Sequence, residues 1–300
     1  MSTSSKDLAD IYQEKTDIEH ILDAPDTYIG SVESDRAKGW TINDENEMIY
    51  RSYEWIGGLY KMFDEGIVNA RDHAVRLMQK MIKKEKNILP VRNIEITVDR
   101  ETGVITMMND GNGVDVAIHP ENKLWIPEMI FGHLRTSTNY KKEEKKIVGG
   151  KNGFGFKLVL IYSKWGVIET VDHIRHKKYT QKFKDNLNII CAPKVKKCYD
   201  KPYTKVSWLP DYKRFGISKI TDDMFNLFKK RTYDIGIITD KSVKVKFNGE
   251  PVINKSFELY IDSYIGSKSE CKRIYERPHT RWEIAACLSP LDQFTQLSFV

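Results

Sequence analysis

Residues 149–157 hold four glycines and two lysines, Gly149-Gly150-Lys151-Asn152-Gly153-Phe154-Gly155-Phe156-Lys157, directly before the apolar run Leu158, Val159, Leu160, Ile161. Glycine permits positive φ and close backbone approach. Successive N–H groups can then face phosphate oxygens, while the start of a following helix adds partial positive charge. Lys157 adds a full charge. The spacing is only loosely that of G-x-G-x-x-G and is not G-x-x-x-x-G-K-[ST], and a glycine-rich surface turn fits the same residues. A second set has helical spacing: Glu65, Asn69 and Asp72 at i, i+4 and i+7 align a carboxylate, an amide and a carboxylate. That row reads as a reactive face or as a solvated one. A third set is Asn109-Asp110-Gly111-Asn112-Gly113, where two glycines at a strand end let backbone close around a side chain such as Asn109, or form an ordinary turn. Thr136-Ser137-Thr138-Asn139 is a fourth, a cluster of small hydrogen-bonding groups.

Regular elements must position these sets. The longest helical signal runs from residue 58 to 84, with Leu59, Met62, Phe63, Ile67, Ala70, Ala74, Leu77 and Met81 as its core-facing stripe. It carries the Glu65 row on another face. Residues 94–98 alternate as a strand, turn at 99–103 and return at 104–108 as a hairpin that runs into Asn109. Residues 125–131 read as a short helix and the charge run 141–146 as a flexible lid or loop leading to the glycine-rich stretch. Behind the glycine-rich stretch, residues 166–171, 178–183 and 204–209 read as strands of one antiparallel sheet. Helices are expected at 221–233 and 257–265, and a hairpin at 243–247 with an Asn248-Gly249 turn. Nearer the start, Thr16 and Glu19 form a capping box for a short helix with Ile18, Ile21 and Leu22 inward, stopped by Pro25. Residues 28–32 read as a short strand or turn, and 43–46 as a turn between two strands. The first residues, around Tyr12, have few apolar positions and read as an arm that lies on something else. Residues 283–287 and 297–300 are strand-like, and the chain ends mid-pattern, as expected of a piece of a longer protein.

Composition narrows the class. The chain has 300 residues, 40% hydrophobic and 30% charged, and no apolar run approaches a bilayer span. No membrane partner is expected. The start lacks the basic head and apolar stretch of a secretion signal, so an intracellular location is expected. Cys191, Cys198, Cys271 and Cys287 lack the paired short spacings of a zinc site and read as isolated thiols. His173 and His176 lie among Arg175, Lys177 and Lys178, which fits a solvated basic turn better than a metal site. The net charge of +6 is compatible with a nucleic-acid partner.

Taken together and in this order, the Glu65 row, the Asn109 turn, the Ser-Thr-Asn cluster and the glycine-rich stretch resemble the GHKL ATPases. That superfamily includes gyrase, the large heat-shock chaperone, sensor histidine kinases and mismatch-repair proteins. The match narrows at Tyr28-Ile29-Gly30-Ser31-Val32-Glu33, at residues 58–65, at 130–134 with 136–140, and at 148–157. These resemble the ATPase region of eukaryotic-type type II DNA topoisomerases, and Gln296-Leu297-Ser298-Phe299-Val300 resembles the start of that family's transducer domain.

The resemblance implies an α+β fold, a GHKL-type two-layer α/β sandwich with a mixed, mainly antiparallel sheet. It divides the chain into an N-terminal arm or strap (1–20), the ATPase domain (21–278) and the beginning of a transducer domain (279–300). It implies that Glu65 is the general base, that Asn69 is a Mg2+ ligand beside the nucleotide, and that Asn109 reads adenine as the first residue of a D-x-G-x-G pattern. Asparagine there, where most of the superfamily has aspartate, supports the narrower match. Ser137, Thr138 and Asn139 would contact ribose and phosphate. Gly150, Lys151, Asn152, Gly153, Phe154, Gly155, Phe156 and Lys157 would wrap the triphosphate, with Phe156 replacing a smaller residue common in relatives. Tyr12 resembles the tyrosine of a strap that crosses to the partner subunit. The implied cofactors are ATP and Mg2+, and the implied partners are double-stranded DNA and a second copy that closes on ATP binding. The implied location is the nucleus, or a viral factory or virion. The family's transducer lysine, cleavage domain and DNA-cleaving tyrosine lie outside this chain. Two other readings are a GHKL nucleotide-gated clamp or chaperone without DNA cleavage, and a kinase of the histidine-kinase type.

Overall fold

The computed structural model describes residues 15–134, 155–253, 256–279, 282–291 and 294–298. Helix α1 (Asp17–Asp23) starts at the expected box: Thr16 Oγ1 accepts from Glu19 N–H at 3.2 Å, and the Glu19 carboxylate accepts from Thr16 N–H at 2.8 Å. Two otherwise orphan donors are thereby satisfied. Pro25 ends it and, having no N–H to lose, opens the one-turn helix α2 (Pro25–Tyr28). Residues 29–33 then turn rather than extend. Strands β1 (Ser34–Ile42) and β2 (Met48–Ile56) form a separate antiparallel hairpin about the expected 43–46 turn. Asn46 there takes φ +69° and its side chain accepts from the Tyr233 hydroxyl at 2.8 Å.

Helix α3 (Gly57–Ile82) buries the predicted stripe from Leu59 to Leu77, and only Met81, in its last turn, emerges into solvent. Gly66 sets how closely it lies on the sheet beneath. A Cβ there would meet Met107 Sδ at 2.7 Å and the Trp208 ring at 3.2 Å.

The remaining elements follow as β3 (Asn93–Val98), β4 (Ile105–Asp110), α4 (Ile126–Gly132), α5 (Gly155–Ile161), β5 (Ser163–Asp172), β6 (Lys177–Lys184), β7 (Ile189–Ile190), β8 (Lys194–Lys197) and β9 (Tyr203–Pro210). After them come α6 (Asp222–Ile238), β10 (Lys244–Phe247), β11 (Glu250–Pro251), α7 (Phe257–Ile265), β12 (Arg273–His279) and β13 (Trp282–Cys287). Nine of the strands make the main sheet, in the order β11-β10-β3-β4-β9-β5-β6-β7, with β8 also pairing β6. Only β10 with β3 runs parallel, which makes the sheet mixed and mainly antiparallel, as expected. The β10–β11 hairpin turns through Asn248 and Gly249 at φ +48° and +86°, the positive values a two-residue turn requires.

Alternation gives the sheet two different faces. On β6, Tyr179, Gln181 and Phe183 are buried inward, whereas Lys178, Thr180, Lys182 and Lys184 point away. The inward face is covered by α3, α5 and α6. Phe63 of α3 stacks on Phe228 of α6 at 4.2 Å with 4° between the rings, so the helices form one packed layer. Among the described residues, strands β12 and β13 pair with each other alone, in a third sheet of two strands.

Three differences from expectation have local causes. The lysine-rich strand β8 carries too few apolar residues to alternate visibly, and β7, the two isoleucines Ile189 and Ile190, is too short to show a period. Leu297 and Ser298 have no strand partner among the described residues and lie outside regular structure. Strand β12 is largely exposed and so lacks the pattern that burial imposes. The four cysteines are free thiols. His176 lies in the β5–β6 turn at φ +51° with its ring 4.8 Å from that of Tyr199, and the described residues hold no metal-binding cluster. No described helix is long and apolar enough to cross a membrane.

Candidate functional site

Helix α3 and the start of α5 bring Glu65, Asn69 and Gly155 together. Glu65 keeps about a quarter of its side chain exposed and accepts an ion pair from Lys61, one turn earlier, at 2.6 Å. Gly155 is the first residue of α5 and lies directly over the Glu65 carboxylate. A Cβ on it would overlap Glu65 Oε2 and come within 4.0 Å of Asn69 Nδ2. A side chain at this position would push the Glu65 carboxylate aside. Asn69 is exposed one helical turn along.

The third member of the row behaves differently. Asp72 is 3% exposed and lies 3.7 Å from Arg71 Nη1; burial lowers nearby Arg76 from its ordinary value, and the charge of Asp72 offsets part of that. The row is therefore not a uniformly solvated face. It changes from an accessible carboxylate at Glu65 to a buried charge cluster at Asp72 and Arg76.

The Asn109 turn is fixed from three sides. Asn109 is 7% exposed, on the inward face of β4 two residues beyond Met107, and its Nδ2 donates to Asp110 O at 2.9 Å. Gly111 takes φ +87°, and a Cβ there would meet Leu77 and Val91 at 2.9 Å. A Cβ on Gly113 would overlap Val171 O and reach Thr170 Oγ1 at 2.8 Å. Thr170 is fully buried, and its hydroxyl accepts Val114 N–H at 2.9 Å. Asp110 caps the start of β3, accepting from Arg92 N–H at 2.6 Å and Asn93 N–H at 2.8 Å. From α3, His73 Nε2 bonds Asn112 O at 2.7 Å. Burial, with help from the charge of Arg76, pulls His73 down to about 4, so at neutral pH the ring is uncharged and Nε2–H is the donor.

Two residues of the glycine-rich stretch sit deeper than a surface cradle suggests. The Phe156 ring is 8% exposed and meets Phe131 and Trp208 edge-on at 5.6 and 5.5 Å. This accounts for the larger residue: the ring fills core space between α4 and the sheet. Lys157 is 3% exposed, and burial lowers it to about 8. Tyr12, Ser137, Thr138, Asn139, Gly150, Lys151, Asn152, Gly153 and Phe154, with the charge run 141–146, lie outside the described residues. A cavity of about 720 Å3 opens beside the first turns of α3, lined by Trp55, Tyr60, Lys61 and Asp64 among others. It touches the site only through Lys61, the ion-pair partner of Glu65.

Sequence reasoning missed His73, Arg76 and Thr170. His73 and Arg76 extend the Glu65 row along α3 and could have been found by continuing its spacing. Thr170 has no such signal, because a threonine in an alternating strand looks like any other.

No protein-family model matches the chain. It is 41% identical to DNA topoisomerase 2 of Acanthamoeba polyphaga mimivirus over 98% of its length, and 40% identical to that of Arabidopsis thaliana over 100%. It spans 23% and 20% of those two relatives. Among solved structures, it superposes on the ATPase region of Saccharomyces cerevisiae topoisomerase II with a TM-score of 0.84 at 37% identity, covering 94% of this chain and 72% of that one. The ATPase and transducer domains of DNA topoisomerase II from Balamuthia mandrillaris give 0.85 at 35%, covering 97% and 72%. The ATPase domain of Thermus thermophilus gyrase B gives 0.58 at 16%, covering 87% and 59%, a likeness of fold alone. With its helix-covered mixed sheet of the GHKL type and these two close structural matches, the chain belongs to the type II DNA topoisomerase family and corresponds to its ATPase region.

Proposed function

We propose that this chain binds and hydrolyses ATP as the N-terminal gate of a type II DNA topoisomerase, in which nucleotide binding closes a dimer around a DNA duplex. The observation that carries the reading is the contact of Gly155 with Glu65 and Asn69. It puts the last part of a glycine-rich phosphate-type loop against a carboxylate and an amide on one helix. From Glu65 to His73, which holds the Asn109 turn, α3 rises ~12 Å at ~1.5 Å per residue, a span suited to an extended nucleotide. Its phosphates would lie toward Glu65 and its base toward Asn109.

In this reading Glu65 orients and deprotonates the attacking water, a contribution of roughly 10²- to 10⁴-fold. Its pair with Lys61 at 2.6 Å holds the carboxylate in place on α3. Asn109, with Nδ2 engaged on Asp110, turns Oδ1 toward the adenine amino group. Ser137, Thr138 and Asn139 contact ribose and phosphate, and Gly150 to Lys157 supply main-chain N–H groups and charge to the triphosphate. A phosphate beside buried Lys157 offsets the burial that lowers it. Asn69 offers one exposed amide oxygen, which fits Mg2+ because that ion keeps waters and phosphates in its shell and needs few protein donors. The ion would neutralise phosphate charge.

The arm 1–20 with Tyr12 acts as a strap to the partner subunit, residues 21–278 form the ATPase domain and 279–300 begin the transducer. Strand passage, DNA as substrate and a nuclear or viral setting belong to the whole protein. The topoisomerase reading is favoured over a clamp or chaperone by the identity to topoisomerase ATPase regions. Glu65→Gln tests it: ATP affinity stays within a few-fold, while steady-state hydrolysis falls at least 100-fold. Unchanged hydrolysis removes Glu65 from this role.

A further inference from the structure

A marked charge asymmetry lies on the face of the main sheet opposite the Glu65 helix. Residues 177–205 contain nine lysines against two acids, Asp185 and Asp200, a surplus of seven in a chain whose total net charge is +6. Strand register sorts these lysines. Lys182 pairs across from Val167, Lys184 from Trp165, Lys178 from Lys196 and Thr180 from Lys194. By alternation, Lys178, Lys182, Lys184, Lys194 and Lys196 share the face of the main sheet opposite the helices. Lys205 of β9 joins them through its pairing with Glu169. Glu169 neutralises part of the group, pairing Lys178 at 2.9 Å and Lys205 at 3.2 Å. Lys182, Lys184, Lys194 and Lys196 are exposed and form no ion pair with a described carboxylate.

We infer that this open, lysine-rich face of the sheet is a contact surface for double-stranded DNA, with Lys182, Lys184, Lys194 and Lys196 on backbone phosphates. Dimensions and chemistry argue for that occupant. From Lys178 to Lys184 the strand advances ~20 Å at ~3.3 Å per residue, a length over which one DNA strand carries about six phosphates. A single strand would call for open aromatic platforms. Two rings on this face are engaged by lysines instead: Lys182 lies over Trp165 at 5.5 Å, and Lys178 donates to the Tyr203 hydroxyl at 2.8 Å. The face thus offers point charges without base-stacking surfaces, which suits backbone contact that positions a duplex without reading it. Protection of a sheet edge by lysine covers Lys194 and Lys196 on β8, but not Lys182 and Lys184, which lie on β6 between β5 and β7.

The choice of DNA as the polyanion rests on the topoisomerase reading; the cationic face does not. The test compares the whole chain with a quadruple variant, Lys182→Gln, Lys184→Gln, Lys194→Gln and Lys196→Gln. A control loses the same charge elsewhere: Lys83→Gln, Lys84→Gln, Lys86→Gln and Lys268→Gln. Binding of a fluorescent duplex and of the corresponding single strand is followed by anisotropy over a salt series, with ATP binding measured in parallel. The face variant should lose on the order of 100-fold in duplex affinity near 0.15 M salt, and its log–log salt slope should fall by about three to four. The control should keep most of both, and both variants should bind ATP as the parent does. An unchanged slope in the face variant, an equal loss in the control, or tighter binding of the single strand overturns the assignment. Loss of ATP binding by the parent chain would instead sink the nucleotide reading, leaving the DNA result to stand or fall by itself.

Discussion

Gly155 is the residue on which the site is closed, because its missing side chain is what lets α5 begin against Glu65. Gly155→Ala forces the Glu65 carboxylate to swing away while leaving the main-chain N–H groups near the phosphates. Hydrolysis should therefore fall more than tenfold with ATP affinity changed only a few-fold, a split visible in kcat against KM. A proportional loss of both would mean that the whole loop had moved. Glu65 and Asn69 were legible because one helical turn separates them and carboxylate plus amide is a chemically distinctive pair. Asn109 was legible from the glycines that follow it. Phe156 was not legible as core, since its neighbours Gly155 and Lys157 argue for a loop, and only Phe131 and Trp208, distant in sequence, supply the contacts that bury it. The burial of Lys157 was hidden for the same reason.

At the scale of elements, α3 works as a ruler whose two ends are held separately, by Gly155 at Glu65 and by His73 at the Asn109 turn. His73 titrates near 6.5 when unfolded and about 4 when folded, because burial and Arg76 disfavour its cation. A depressed folded value means that the unfolded chain takes up the proton first. Its contribution is therefore complete above pH 6.5 and is lost as the pH falls through about 4. Stability of the parent chain should decline more steeply across that window than stability of His73→Gln, followed by urea unfolding at several pH values. Adenine selectivity should loosen in His73→Leu, which has no donor, because an unpinned Asn112 carbonyl frees the turn that carries Asn109. Coincident stability curves would rule this out. The long helices and the central strands were readable because burial imposes period on them. Strands β7, β8 and β12 were not, because they are exposed and nothing selects their pattern.

For the whole molecule, the question is whether nucleotide binding is coupled to pairing of two copies, and the N-terminal arm decides it. The described core begins at Ile21, 1% exposed, whose carbonyl accepts the Tyr162 hydroxyl at 2.5 Å. The sheet and helices that surround Glu65 and Asn109 all come later. A chain lacking residues 1–14 should therefore fold and bind ATP within a few-fold of the parent. If the arm straps the partner subunit, the same deletion removes contacts made only in the closed dimer. Ligand can shift an equilibrium only by its differential affinity for the two states, so losing those contacts weakens closure without touching the monomer site. In sedimentation experiments with a non-hydrolysable ATP analogue, the deletion, and Tyr12→Ala to a smaller degree, should lower dimer affinity at least tenfold, about 1.4 kcal/mol. Without nucleotide, the truncated and parent chains should sediment alike. An unchanged nucleotide-dependent dimer would mean that closure rests on the folded domain alone, and the arm would lose its role as a strap.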